Sequence, residues 1–244
     1  MVIVLIITAV RVKSMDSHRI SGRILAENIA GPGMMRLVEQ SMQAQAQKTS
    51  VTEIAVKEWK HPQAALTFDD GPDIRYTPLL LDGLKERNVR ASFFLLGEKV
   101  EQYPELVERM QKEGHLVGNH TYHHVQLDKL NETKAREEIL KTNNLIYETT
   151  GVYPLYLRPP FGAWKKNLEL CVEMLPVFWT IDTLDWKVKN TEKIVRTVKE
   201  QIEDGAIILM HDEYDTSVEA ALQVADDLKA QGYQLVTVDQ LILP

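Results

Sequence analysis

Thr67-Phe68-Asp69-Asp70-Gly71-Pro72 is the stretch on which the reading of this chain turns. The alternating apolar run Ala64–Phe68 before it reads as a buried strand, and Gly71-Pro72 reads as the turn that stops it. Two adjacent carboxylates therefore stand at the C-terminal tip of a strand, the end at which α/β enzymes keep their chemistry. Like charges side by side need a reason. A divalent cation held by one carboxylate would relieve the repulsion and leave the other free to act as a base.

The missing ligands are sought in Asn119-His120-Thr121-Tyr122-His123-His124. His120 and His124 are four residues apart, a spacing that places both on one face of a helical turn, and neutral imidazole is the commonest protein ligand for zinc-like ions. One Asp and two His leave coordination positions open, as a catalytic ion requires; a structural zinc would be closed by four ligands, usually with Cys. The only cysteine is Cys171, so a zinc finger is excluded. A His-x3-His pair also occurs on ordinary surfaces, and His123 reads as a surface histidine.

Working outward, strand-like runs recur at Ala64–Phe68, Ala91–Leu95, His115–Gly118, Pro154–Leu157, Val177–Ile181, Ala206–Met210 and Tyr233–Val236. Helical periodicity fills the gaps: Thr77–Arg87, a segment opened by Pro104, a charged run capped by Asn131 and reaching Thr150, Lys166–Leu175, Glu192–Glu203 capped by Thr191, and Ser217–Gln231. Strict alternation predicts parallel strands wrapped by helices, either as an open doubly wound sheet or as a closed, irregular β/α barrel. On that frame Asp69, Asp70, His120, Arg158, Asp182, Asp185 and His211 all follow strands. In a parallel architecture those ends share one rim, so residues distant in sequence would line one pocket. Each also has a structural reading: Asp69 or Asp70 as a helix cap, Arg158 as a strand-end ion pair, Asp182 as a loop cap, Trp186 and Leu209 as core. The charged runs Lys134–Glu138 and Glu192–Lys199 read as solvated helix faces.

From about Glu58 to Pro244 the chain resembles the polysaccharide deacetylases of the NodB-homology type, carbohydrate esterase family 4. Five ordered motifs carry the resemblance: Thr67-Phe68-Asp69-Asp70, His120-Thr121-Tyr122-His123-His124, Arg158-Pro159-Pro160-Phe161-Gly162, Asp182-Thr183-Leu184-Asp185-Trp186 and Leu209-Met210-His211. The resemblance implies an α/β fold, a distorted (β/α) barrel of about seven parallel strands. It also implies a hydrolase that removes acetyl groups from N-acetylglucosamine-type sugars of peptidoglycan or a chitin-like polymer. By the same resemblance Asp70, His120 and His124 would hold a divalent ion, zinc before cobalt, Asp69 would be the general base and His211 the general acid. Arg158 would orient Asp69, Asp185 would orient His211, a backbone N–H near Phe161 would meet the oxyanion, and Trp186 and Leu209 would form apolar walls. Phe161 departs from the usual Tyr of the family, losing a hydroxyl but keeping the backbone. Asp70 is retained where muramyl-specific members often carry Asn, which favours N-acetylglucosamine. An O-acetyl xylan esterase on the same site and a glycan-binding relic without turnover are the alternatives.

A formal charge of −7 over 244 residues argues against nucleic acid as a partner. The length holds one barrel-sized domain, 58–244, plus residues 1–57 as an apolar segment, Met1–Val10, followed by a Gln-rich polar extension. That segment is too short to span a bilayer and is expected to be part of an export signal or membrane anchor, or else an N-terminal strand. A secreted or surface-anchored location follows from the first option.

Overall fold

The computed structural model describes residues 61–164 and 174–242. The N-terminal segment, the extension, Cys171 and most of the helix expected at Lys166–Leu175 lie outside the described residues. Every residue of strand β1 (Gln63–Asp69) is buried, as a strand covered on both faces must be. Its alternation sorts the two faces. Ala64, Leu66 and Phe68 pack into the large core under the helices. Ala65 joins a smaller cluster with Phe94, Tyr156, Val177 and Val238 on the other face. Thr67 and Asp69 therefore point the same way as Ala65, into the barrel.

The other strands are β2 (Ser92–Leu95), β3 (Leu116–Asn119), β4 (Tyr156–Leu157), β5 (Leu175–Pro176), β6 (Ile181–Asp182), β7 (Ala206–His211) and β8 (Gln234–Leu235). They form one sheet in the order β5-β4-β3-β2-β1-β7-β6, with β8 also paired to β1, and every pairing is parallel. Parallel strands need helical crossovers. These are α1 (Tyr76–Glu86), α2 (Gly97–Gln102), α3 (Pro104–Lys112), α4 (Glu132–Thr150), α5 (Asp185–Val188), α6 (Thr191–Gln201) and α7 (Asp215–Ala230), while α8 (Val238–Ile242) follows the last strand. The architecture is a distorted (β/α) barrel, as expected from the sequence.

One expected strand is split. The sequence predicts a single strand over Val177–Ile181, but β5 ends before it at one edge of the sheet and β6 begins at its last residue, at the other edge. Between them the chain crosses the gap: the Val177 N–H bonds to Leu157 O (2.8 Å) and the Thr180 N–H to Ile207 O (2.9 Å). The two edges are thus bridged by one extended segment, and among the described residues no ladder pairs β5 with β6.

Caps follow the sequence in part. Asn131 accepts the Lys134 N–H (2.9 Å) at the start of α4, and Pro104 opens α3. The cap of α6 is Asn190, which accepts the Lys193 N–H (2.9 Å), not Thr191, which is the first helical residue. Asp73 serves α1, its Oδ1 accepting the N–H groups of Arg75 and Tyr76 at 2.8 Å. That leaves Asp69 and Asp70 free of capping duty.

Candidate metal centre and active site

Register sets the rim. Asp69 is level with His211 across β1–β7 and with Phe94 across β1–β2, while Leu95 pairs with Asn119 and Asn119 with Leu157. Asp69, His120, Arg158 and His211 therefore sit at one end of the sheet. Among the described residues, five of the seven non-glycine residues with positive φ (Asp70, Thr121, His124, Phe161 and Leu184) lie at this end. Backbone strain of that kind concentrates where a site needs a fixed geometry.

Arg158 is fully buried. Its Nη1 donates to Asp69 Oδ1 (2.8 Å) and Thr67 Oγ1 (2.7 Å), and Thr67 passes its own proton to Ile208 O (2.7 Å). The guanidinium stacks on Phe94 at 4.2 Å, and its other nitrogens lie 3.4 and 3.5 Å from the carbonyls of Val177 and Phe178. It thus lines the segment that bridges the two sheet edges. Burial lowers its guanidinium and Asp69 offsets this only in part; the pair fixes Asp69 Oδ1 and leaves Oδ2 toward the rim, 3.8 Å from His120 Nε2.

Asp70, His120 and His124 form the one group of metal-ligating side chains among the described residues, their ligand atoms all within 4.8 Å of one another. Nε2 of His120 is 3.3 Å and Nε2 of His124 is 3.4 Å from Asp70 Oδ1. The His120 Nδ1 lies 2.6 Å from the Arg158 carbonyl, which can only accept; Nδ1 therefore carries the proton and Nε2 a lone pair. Asp70 Oδ1 is buried and accepts no hydrogen bond. Three electron-pair donors converge with no proton between them, the arrangement a divalent cation would satisfy. Burial alone would push the Asp70 carboxyl up; the close His120 ring, with His124 and His211 beside it, outweighs that and holds Asp70 well below the usual carboxylate range. Burial lowers His124, favouring the neutral, ligating ring. One expectation is corrected: residues 120–126 are irregular rather than helical. The His pair converges through left-handed turns at Thr121 and His124.

His211 stands across the centre, its Nε2 3.9 Å from Asp70 Oδ2. Asp185, fully buried at the start of α5, grips it twice: Oδ1 lies 2.7 Å from Nδ1 and Oδ2 accepts the His211 N–H at 2.8 Å. Burial would lower the imidazole, but the Asp185 carboxylate, with Asp69 and Asp70 behind it, pushes it up to about 9. His211 is held as a cation. Asp182 takes the structural reading, its Oδ1 accepting the Leu184 N–H (3.0 Å) in a tight turn.

Apolar surface rings this centre. Phe161 is 67% exposed and Trp186 48%, and the Phe161 ring lies 4.6 Å from that of His124. Leu209 is buried and presents its carbonyl to the Thr183 hydroxyl (2.8 Å), so its share in the rim is small.

Two carboxylates escaped the sequence reading. Asp212 follows inward-facing His211 and so points to the opposite face. It is fully buried beneath Gly71, where a Cβ would come within 2.5 Å of its Oδ1. It accepts the Thr77 hydroxyl, which itself accepts the Asp73 N–H (2.7 Å), and burial pushes its carboxyl up to about 7. Glu138, read as part of a solvated helix face, instead turns inward to the loop of His120 and His124. Strand alternation could have indicated Asp212; nothing in local spacing indicates Glu138.

Residues 57–178 match the family model described as polysaccharide deacetylase. The chain belongs to this family. Among its relatives, the peptidoglycan-N-acetylglucosamine deacetylase PgdA of Listeria monocytogenes is 43% identical over 177 residues, 72% of this chain and 38% of that protein. A peptidoglycan-N-acetylglucosamine deacetylase of Bacillus cereus is 40% identical over 186 residues, 73% of this chain and 68% of the relative. The peptidoglycan-N-acetylmuramic acid deacetylase PdaC of Bacillus subtilis is 44% identical over 177 residues, again 38% of its length. The solved structure of PdaC superposes with a TM-score of 0.73 at 43% identity, covering 75% of this chain and 91% of that one. The chain thus spans little more than a third of PgdA and PdaC. His211 and Asp185 lie beyond the residues matched by the family model, and the fold brings both to the centre.

Proposed function

We propose that residues 58–244 form a divalent-cation-dependent deacetylase acting on N-acetylglucosamine-type units of peptidoglycan. The observation that carries this reading is the convergence of Asp70, His120 and His124 on one point, with the Arg158-held Asp69 on one side and the Asp185-held His211 on the other. A zinc or cobalt ion held by the three ligands would supply Lewis acidity to the amide carbonyl and acidify a water. Asp69 is the base: Arg158 fixes Oδ1 and leaves Oδ2 to take a proton from the attacking water. His211 is the acid. Held as a cation by Asp185, it donates from Nε2 to the departing amine, which must leave protonated. The turn at Phe161 is the candidate source of a backbone N–H for the oxyanion. Exposed Phe161 and Trp186 suit the apolar faces of a sugar.

Relatives named for both amino sugars match about equally, at 43% and 44% identity. Choice of N-acetylglucosamine rests on Asp70, the ligand that muramyl-specific members often replace with Asn. A glycan at the cell wall would place the enzyme outside the membrane, secreted or anchored through its N-terminal segment. No helix among the described residues is long and apolar enough to cross a bilayer.

The test is acetate release, with product masses, from N-acetylglucosamine oligomers, defined peptidoglycan fragments and acetylated xylan, in zinc-loaded and chelated protein. Loss of 42 Da steps (about one acetyl each) from glucosamine units, abolished by chelation, is expected on the basis of metal-assisted hydrolysis. Release from xylan alone would support the esterase, and binding without release from any substrate would support the relic.

A further inference from the structure

We propose that Glu138 is a positioning residue for the cation ligands: its carboxylate holds the backbone between His120 and His124 in the conformation that aims both imidazoles at Asp70. This rests on the reading of that cluster as a cation site. Thr121 has φ +68° and His124 φ +54°, a region that L-residues, and a β-branched threonine above all, adopt only when their surroundings impose it. The flanks of the loop are tied to neighbouring elements. The Thr121 N–H goes to Asn119 Oδ1 (2.7 Å), the Thr121 carbonyl accepts the Gly97 N–H (3.0 Å), and the Val125 N–H meets Thr121 Oγ1 (3.2 Å).

The two amides in the middle go to one acceptor. Glu138 Oε2 takes the N–H groups of Tyr122 (3.0 Å) and His123 (2.9 Å), and Oε1 lies 2.7 Å from His123 Nδ1. The Glu138 side chain is only 16% exposed against 58% for His123, so the carboxylate is inside and the imidazole outside. Water cannot readily replace it. The helix that carries it is anchored separately, by the Asn131 cap and by buried Ala135, Ile139, Asn143 and Ile146, and the Ile139 carbonyl receives Asn119 Nδ2 (2.9 Å). The contacts of Glu138 are thus concentrated on the loop. Bonds from backbone N–H to a carboxylate are short and strong, and these two hold the residues between Thr121 and His124, that of His123 adjoining His124 directly. Both turns would be free to relax toward ordinary φ without them, swinging its ring away from Asp70.

The experiment measures the zinc dissociation constant of the full chain by competition with a chromophoric chelator, for the parent, Glu138→Ala, Glu138→Met, Glu138→Gln and His123→Ala. Removing the carboxylate as Ala, or as Met to keep the volume, is expected to weaken zinc binding about 10- to 100-fold, the range for partners behind a metal ligand. Glu138→Gln keeps an oxygen for the two amides and should recover most of the affinity. His123→Ala should stay within about threefold, since the backbone bonds survive. A role in fold stability alone would lower the melting midpoint of the metal-free protein and leave the dissociation constant of the folded fraction unchanged. Parent affinity in both Glu138→Ala and Glu138→Met overturns the proposal. If the parent itself binds no zinc, it is the cation reading that fails, and the parent titration alone reveals it.

Discussion

Truncating Asp69 should damage the fold and the chemistry by separable amounts, because its partner is a buried charge. Arg158 is fully buried and, among the described residues, pairs with Asp69. Asp69→Ala strands that guanidinium, and removing one member of a buried pair costs about 3–5 kcal/mol. At about 2–4 °C per kcal/mol for a chain of this size, the melting midpoint should fall by about 6–20 °C. Asp69→Asn keeps an oxygen where Oδ1 accepts Nη1 at 2.8 Å. A hydrogen bond to a charged group recovers about 1.5–3 kcal/mol, leaving a deficit of about 2 kcal/mol. Replacing the guanidinium as well, in Asp69→Ala/Arg158→Met, should restore much of the loss. An apolar chain fits over Phe94, where Arg158 already stacks, and apolar replacement of a buried pair is often neutral or better. All three variants should be inactive. Zinc content should hold in Asp69→Asn, since the ligand set does not include Asp69. Urea unfolding with and without zinc, metal analysis and acetate release measure each quantity. The reasoning is refuted if Asp69→Ala costs under about 1 kcal/mol, against the 3–5 expected, or if the double variant is no more stable than the single. Metal loss in Asp69→Asn would exchange the roles of the two aspartates.

His124→Ala and Asp70→Ala should each weaken zinc binding by more than the roughly 100-fold upper cost of losing a partner behind a ligand; unchanged metal content by elemental analysis removes the residue from the set. His211→Ala should lower kcat by about 10²–10⁴ with KM nearly unchanged, the usual share of a general acid, and wild-type turnover would discard that role. Asp185→Asn removes the carboxylate that raises His211. The alkaline limb of the kcat profile should move to lower pH, so the loss at pH 8 exceeds that at pH 6, and an unmoved limb would uncouple the two residues. His115 is buried with its Nδ1 accepting the Ala91 N–H (3.0 Å), and burial lowers it to about 4. In the window from about pH 6.5 down to 4 only the unfolded chain takes the proton, so this contribution is complete above pH 6.5 and fades at about 1.4 kcal/mol per unit as pH falls. The stability gap between the parent and His115→Gln should therefore close toward pH 4, and a gap constant with pH would contradict the assignment.

How much was legible depends on the range of the interaction. Strand tips were legible: Asp69 ends one apolar run and His211 another, parallel pairing puts both ends on one rim, and the structure sets them level. The split of Val177–Ile181 was not, because a short apolar run does not say which edge it will join. Its first half bonds to the β4 side and its second to β7. The His-x3-His spacing gave the right ligands through the wrong local structure, since four residues also converge when two of them turn left-handed. Thr191 and Asn190 are both good caps by type, and only the backbone at Asn190 chooses between them. Glu138 was invisible for a plainer reason: its partners are backbone amides 15 and 16 residues away, and a peptide N–H leaves no mark on composition.

The rim also explains why the carboxylates here do not repel the fold apart. Asp69 is answered by Arg158 from within the barrel and Asp185 by His211, while Glu138 is answered by two amides and a histidine. Asp212 is held by the Thr77 hydroxyl, with burial keeping its carboxyl close to neutral. Asp70 Oδ1 and Asp212 Oδ1 are both buried and accept no hydrogen bond, and of the two it is Asp70 Oδ1 that lies beside two ring nitrogens. An unanswered carboxylate oxygen costs stability wherever it lies, and at Asp70 it lies where Asp69 and Asp185 already have partners of their own. A cation arriving at Asp70 Oδ1 therefore meets one carboxylate and the Nε2 atoms of two rings, with Asp69 Oδ2 still free to accept a proton.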